Sequence, residues 1–358
     1  AVFAALSDEP ATDEVLARVV ASCGGKELNN KMLDFYYWQQ YYTLMNNYGS
    51  YASYFIDTSK PFDQQMCMFD DTRTWQQYFL QAAITNYENV TAIWQEARLA
   101  GFQLSQEDQD YLDELDGQIN VAAASYSYGS ADEYLQMAYG PAATLTSYHA
   151  FVERQITASA YLQVLVDEKP YTEDDISKYY DDNADSYAGN GIEKSDVKMV
   201  NVRHILIQPE GKNDDGTYTD EAWAEAEKKA NDLLTEWQNG EHTEDSFAFM
   251  AAENSQDPGS VENGGLYEDI YPGKMVDEFD DWCFDPARQP GDTGIVKTSY
   301  GYHIMYFSST GEHAYWYVRA EEDYLNELSV SVLQEVAAKF EVTESEQNAA
   351  IVDVMQQN

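Results

Sequence analysis

Five histidines and three cysteines are the residues of this 358-residue chain best suited to chemistry, and neither type is spaced for a metal. Cys23, Cys67 and Cys283 are too few and too scattered for a disulfide framework, and no Cys/His spacing fits a zinc site. His204 falls in Lys198–Ile207, which alternates as a strand and sets Val200, Val202, His204 and Leu206 on one face. A lone histidine on such a face is more often a satisfied core residue than a functional one. His303 lies in a second strand-like stretch, Ile295 to Phe307, close to Thr298. Asp257 precedes Pro258-Gly259 and, taken alone, reads as a turn-former. Met275 and Phe279 are four apart in a segment that fits a short helix, so both project from one face, as ordinary core residues also do. His149, His242 and His313 have no such context and read as surface residues.

The elements that must position these groups change character along the chain. From about Asp13 to Leu165 the pattern is helical, with Thr74 to Leu99 as one apolar-periodic window, stopped by Gly101. Ser105, followed by Glu107 and Asp108, opens a further helix, and Tyr171 to Tyr180 is another capped one. Tyr187 to Asp196 reads as a polar linker. Next come a strand, a polar loop from Pro209 to Thr219, helices at Glu221–Asn239 and Thr243–Glu253, and a run of turn-forming Pro-Gly and Gly-Gly pairs. Two short strands about Tyr300-Gly301 follow. This order indicates a small α+β domain whose helices pack on a mostly antiparallel sheet. After Gly311 helical periodicity returns and runs to the C-terminus. Its apolar face, from Tyr324 to Phe340, needs a partner and is expected to dock on the N-terminal helices.

Charge narrows the function classes. With 64 acidic residues against 20 basic ones, the formal net charge is −44, so nucleic acid is excluded as a partner and anionic membrane surfaces do not attract the chain. The charge itself reads as solubility and self-repulsion between molecules. No stretch of about 18 apolar residues is present, and Ala1 to Leu6 is too short for a signal peptide or an anchor.

Residues 197–311 resemble the parvulin family of peptidyl-prolyl isomerases through five ordered motifs. These are Val202-Arg203-His204-Ile205-Leu206-Ile207, Asn254-Ser255-Gln256-Asp257, Asn263-Gly264-Gly265-Leu266, Gly273-Lys274-Met275-Val276-Asp277-Glu278-Phe279, and Val296-Lys297-Thr298 with Gly301-Tyr302-His303-Ile304. The flanks resemble the PrsA/SurA group of exported foldases, and the clostridial-looking members best, with their tyrosine-rich N-terminal region. The resemblance implies a helical chaperone domain of residues 1–196 plus 312–358, interrupted by a parvulin-like α+β domain at 197–311.

It also implies a site. Leu266, Met275 and Phe279 would bind the proline ring, and His204, Asp257, Thr298 and His303 would form the catalytic polar set. Two imidazoles can fix each other's tautomers while Thr298 orients one of them; alternatively, the pair chiefly stabilises the fold. Asp257 stands where some parvulins carry cysteine, which fits a noncovalent mechanism needing no cofactor and no metal. Two departures concern the rim: Gly265 replaces a frequent acidic residue, and Tyr267 to Pro272 looks one residue long. One lysine among acids in the loop after the first strand argues against phosphate-directed specificity.

The implied function is isomerisation of X-Pro bonds in unfolded or partly folded exported polypeptides, outside the cytoplasmic membrane of a Gram-positive bacterium. Attachment to that membrane would need an anchor absent from this chain. The alternative is a holdase whose parvulin domain binds proline segments with little turnover. Phe35-Tyr36-Tyr37-Trp38, with Tyr41, Tyr42, Tyr48, Tyr51, Tyr54 and Phe55, reads either as helix packing or as a groove for extended clients. Nothing in the sequence sets an oligomeric state.

Overall fold

The computed structural model describes residues 11–213 and 216–356. The chain divides into two compact units, one built from the chain up to Pro170 and again from Leu325, the other from Tyr171–Tyr324.

The first unit opens with α1 (Asp13–Ala17) and a hairpin of β1 (Val19–Cys23) and β2 (Lys26–Asn29). The hairpin turns at Gly24-Gly25, whose φ values of 54° and 74° suit glycine. Next are α2 (Asn30–Tyr48), a small hairpin of β3 (Met66–Cys67) and β4 (Asp70–Thr74), and four helices: α3 (Trp75–Ala100), α4 (Gln106–Ser125), α5 (Ala131–Tyr139) and α6 (Leu145–Asp167). Thr74 and Gln77 form a reciprocal capping box at the start of α3, and Gly101 ends it. The Ser105 hydroxyl accepts from the Asp108 amide at 3.1 Å and starts α4.

Phe35, Tyr36, Tyr37 and Trp38 are four consecutive buried residues, so this stretch of α2 is enclosed on all sides. Tyr36 meets Tyr87 edge-on at 5.4 Å and Phe151 edge-on at 4.9 Å, tying α2 to α3 and α6. The aromatic run is therefore mainly core packing, and high exposure sets in at its far end, where Tyr51 and Tyr54 are 68% and 75% exposed.

The second unit contains α7 (Glu173–Asp182), α8 (Ala184–Gly189), β5 (Lys198–Ile207), α9 (Asp220–Asn239), α10 (Glu244–Asn254), β6 (Leu266–Ile270), α11 (Asp277–Cys283), β7 (Thr293–Thr298) and β8 (Gly301–Ala314). Then α12 (Tyr315–Ala337) carries the chain back into the first unit after Tyr324. The segment expected to be a linker holds a buried anchor. Tyr187 joins Ile176, Tyr180, Tyr317 and Ala320 in one cluster, and its hydroxyl donates to Asp323 at 2.8 Å. That packing assigns α7, α8 and the first turns of α12 to the second unit, beyond the expected limits of 197–311.

Helix does not run to the C-terminus as expected. It stops at Ala337, and β9 (Val342–Glu344) pairs antiparallel with β1, giving a three-stranded sheet in the order β2-β1-β9. Val342-Thr343 is β-branched and finds an open strand edge there. Leu333, Val336, Ala337 and Phe340 pack on the helical core. The amide nitrogen of the Asn30 side chain donates to the Asn348 carbonyl at 3.0 Å, and its oxygen accepts from the Ala350 amide at 2.9 Å, which secures the last segment.

The sheet of the second unit runs β6-β5-β8-β7, antiparallel throughout. The alternation of β5 divides its two faces. Ile205 and Ile207 pack on α9 and α10 with Trp237 and Phe247, while Val200 and Val202 meet Phe279, Cys283 and Phe307 on the side of α11. His204 and Leu206 lie on this second face, beyond the valines, where the side chains give way to a cavity.

Candidate active site

The cavity holds about 440 Å³ and lies over the α11 side of the sheet. Its lining combines His204, Leu206 and Gln208 of β5 and the segment after it with Asp257, Pro258 and Tyr267, then Met275, Val276 and Phe279, and finally Tyr300 and His303. Size and apolar character suit a compact ring and the groups flanking it.

A continuous hydrogen-bonded chain forms its polar wall. Thr298 Oγ1 lies 2.8 Å from His303 Nε2, the two Nδ1 atoms of His303 and His204 are 3.0 Å apart, and His204 Nε2 is 3.0 Å from Asp257 Oδ2. With both rings neutral the chain has one direction, set by the carboxylate, which can only accept. His204 then donates from Nε2 to Asp257 and accepts at Nδ1 from His303, whose Nε2 accepts from Thr298. The rings are nearly parallel, with centroids 5.1 Å apart and 22° between planes, and Phe279 meets both edge-on at 5.4 Å.

Burial governs the electrostatics. His204, Thr298 and His303 are each 5% exposed or less. Burial first, and the adjacent His204 ring second, push the His303 imidazole down to about 4, against the pull of Asp257. The hydrogen bond from His204, joined by those from Ser260 and Tyr267, holds the Asp257 carboxyl well below the usual carboxylate range despite burial. Its Oδ2 atom accepts from Ser260 at 2.5 Å and from Tyr267 at 2.9 Å as well as from His204. That oxygen is saturated and orients the wall instead of attacking. Cys283 is buried beside Phe279, and burial raises its thiol to about 12, so no thiolate is on offer.

Six of the seven expected residues thus stand together. Thr298 is behind His303, not in the lining, and Met275 precedes α11 instead of lying on it, although it still faces the cavity beside Phe279. Leu266 does not line the cavity. It is paired with Arg203, whose guanidinium reaches Glu244 of α10, so strand alternation turns Leu266 toward α10 and gives the cavity its neighbour Tyr267. Sequence reasoning missed Tyr267, which stacks on His204 at 5.3 Å, and Ser260, which is 1% exposed and bonded to both His204 and Asp257. The first depends on the register of β6, for which the sequence has no local motif; the second has no sequence signal beyond its spacing from Asp257. His149, His242 and His313 are absent from the lining.

Both departures at the rim have local causes. Gly265 has φ 75°, its carbonyl accepts from the His204 amide at 2.8 Å, and a Cβ there would sit 2.2 Å from the His204 carbonyl oxygen. The long connection appears as a β-bulge. Between paired positions β6 advances from Tyr267 to Ile270 while β5 moves two residues, and Asp269 takes φ 51°. Among the described residues, no group of three or more His, Cys, Asp or Glu is placed to hold a metal ion.

Residues 190–309 match the family model of the PPIC-type PPIASE domain, the peptidyl-prolyl cis/trans isomerase domain. Over 80 residues the chain is 45% identical to Foldase protein PrsA of Geobacillus sp. (strain WCH70), covering 22% of this chain and 27% of that one. Over 106 residues it is 31% identical to Foldase protein PrsA 1 of Listeria innocua, covering 30% and 29%. The chain spans less than a third of the length of these curated relatives. The crystal structure of PrsA from Bacillus subtilis is 19% identical over 77% of this chain and 93% of that one, with a TM-score of 0.34, too low to argue from. Across residues 190–309, this chain carries a parvulin-type domain of the PPIC-type PPIASE family.

Proposed function

We propose that the second unit catalyses cis/trans isomerisation of X-Pro peptide bonds, and that the chain is a PrsA-like foldase acting on unfolded exported polypeptides. The observation that carries this reading is the directed chain Thr298–His303–His204–Asp257 forming the wall of an apolar cavity closed by Met275 and Phe279. The barrier to rotation is about 18–20 kcal/mol and comes from amide resonance. Twisting the bond removes that resonance and with it much of the amide dipole. An apolar cavity around the prolyl ring therefore favours the twisted form over the planar one, and the hydrogen-bonded wall keeps the shape of that cavity fixed as the bond turns. Asp257 anchors His204, His204 anchors His303, and Thr298 closes the line, so the wall needs no reorganisation during the turn.

No lysine or arginine lines the cavity, which supports unmodified X-Pro segments over phosphorylated ones. The PrsA names of the relatives support a site of action outside the cytoplasmic membrane of a Gram-positive cell. Among the described residues no helix is long and apolar enough to cross a membrane. A protease-coupled assay on an Ala-Pro tetrapeptide tests the enzyme reading. Acceleration over the uncatalysed rate supports it; an intact fold with no acceleration, while aggregation of unfolded clients is still suppressed, leaves the holdase alternative in its place.

A further inference from the structure

The first unit contains a second cavity, of about 600 Å³, whose lining differs in kind from the proline site. Six carboxamides from three helices face it: Gln39 and Gln40 of α2, Gln81, Asn86 and Asn89 of α3, and Gln155 of α6. No Asp or Glu lines it, in a chain with 64 acidic residues, and Arg73 is its one charged side chain. The amides are only partly used within the protein. Asn86 donates to Gln39 at 3.1 Å and Gln40 donates to the Tyr36 carbonyl at 3.4 Å. The nitrogen of the Gln155 amide is buried with no acceptor.

We propose that this groove binds an extended stretch of client polypeptide through its backbone, a reading that rests on the foldase function and places client contact in the other unit. A carboxamide side chain presents the same donor and acceptor as a peptide group, so a row of them can pair with a backbone whatever its side chains. The spacing fits. Gln81 and Asn89 are eight residues apart on α3, about 12 Å along the axis, which is the reach of about four residues of extended chain. Walls without a carboxylate admit acidic segments that the rest of the surface would repel. A saccharide, the other ligand that amides commonly hold, would want an open aromatic face. Tyr78 is the one ring in the lining, and it packs against Trp75, Phe79 and Phe69.

The test is calorimetric titration of the full chain with an acetylated, amidated, proline-free decapeptide of Ala, Ser and Thr. Saturable binding is expected, weakened about tenfold by Gln81→Leu with Asn89→Leu through the loss of two hydrogen bonds, with turnover of the Ala-Pro tetrapeptide unchanged. A peptide of identical side chains, N-methylated at alternate residues, is expected to lose binding to the unaltered chain. That comparison decides the matter even if the double variant fails to fold. Equal binding of the N-methylated peptide overturns the proposal, as does binding of a soluble N-acetylglucosamine tetramer with none of the decapeptide. Since the probe contains no proline, an inactive isomerase site would leave this result standing.

Discussion

Asp257 is saturated at the oxygen that faces His204, and this distinguishes a positioning carboxylate from a nucleophile. Asp257→Asn keeps an acceptor for His204, so its loss of kcat/KM is expected to be smaller than that of His204→Ala, which cuts the wall at its centre. A fall of about tenfold or more for His204→Ala and for Met275→Ala corresponds to about 1.4 kcal/mol of lost transition-state stabilisation. Cys283→Ala should leave turnover within about twofold, since the thiol is buried and protonated. Steady-state rates on one Ala-Pro substrate compare all four variants. If both His204→Ala and Met275→Ala retain full activity, the chemistry lies elsewhere.

The elements that hold these residues were legible to different degrees. Alternation in Lys198–Ile207 correctly sorted Val200, Val202, His204 and Leu206 onto one face, because a strand buried on both faces still separates its neighbours by side. The start and stop of α3 could be read from Thr74 and Gly101. The hairpins of the first unit were hidden, since strands of two to five residues leave too short a period to detect among helices. Leu266 was misplaced because a one-residue difference in register inverts the face, and the bulge that sets the register of β6 has no local motif. Gly265 ties these elements together: its φ of 75° and the 2.2 Å approach to the His204 carbonyl leave no room for a side chain. Gly265→Ala is expected to destabilise the second unit by about 2 kcal/mol or more, seen as a lower urea midpoint; an unchanged midpoint would mean that β6 can yield without disturbing His204.

At the scale of the whole molecule, the two units should respond to pH in opposite directions. In the second, His303 is held near 4 while an unfolded histidine titrates near 6.5. The unfolded state therefore takes up a proton first as pH falls, and stability fully present above 6.5 is lost between 6.5 and 4, by an amount on the order of 3 kcal/mol. Asp257, depressed in the folded state, adds a further loss only below the usual carboxylate range. In the first unit, Asp34 is buried in α2 and its carboxyl is pushed well above the carboxylate range by burial, offset in part by the Val352 backbone. Here the folded state holds the proton more tightly, so stability is complete below the unfolded value and declines as pH rises through the folded one. Glu88 acts in the same sense, raised to about 7 by burial and then by Glu344. Hydrogen exchange across pH should accordingly show β5 and β8 losing protection toward acid and α2 losing it toward alkali, with Asp34→Asn removing much of the alkaline loss. Above these local effects stands the joining of an amide-lined groove in one unit with a proline cavity in the other, on a single chain. That account depends on real turnover at the proline cavity, which exchange spectroscopy reads directly and without a coupling protease, from the cis and trans signals of an Ala-Pro peptide mixed with catalytic amounts of protein. Cross-peaks absent for the peptide alone should appear with the unaltered chain and fade with Met275→Ala; a folded, unaltered chain that produces none would contradict the assignment of this site as an isomerase.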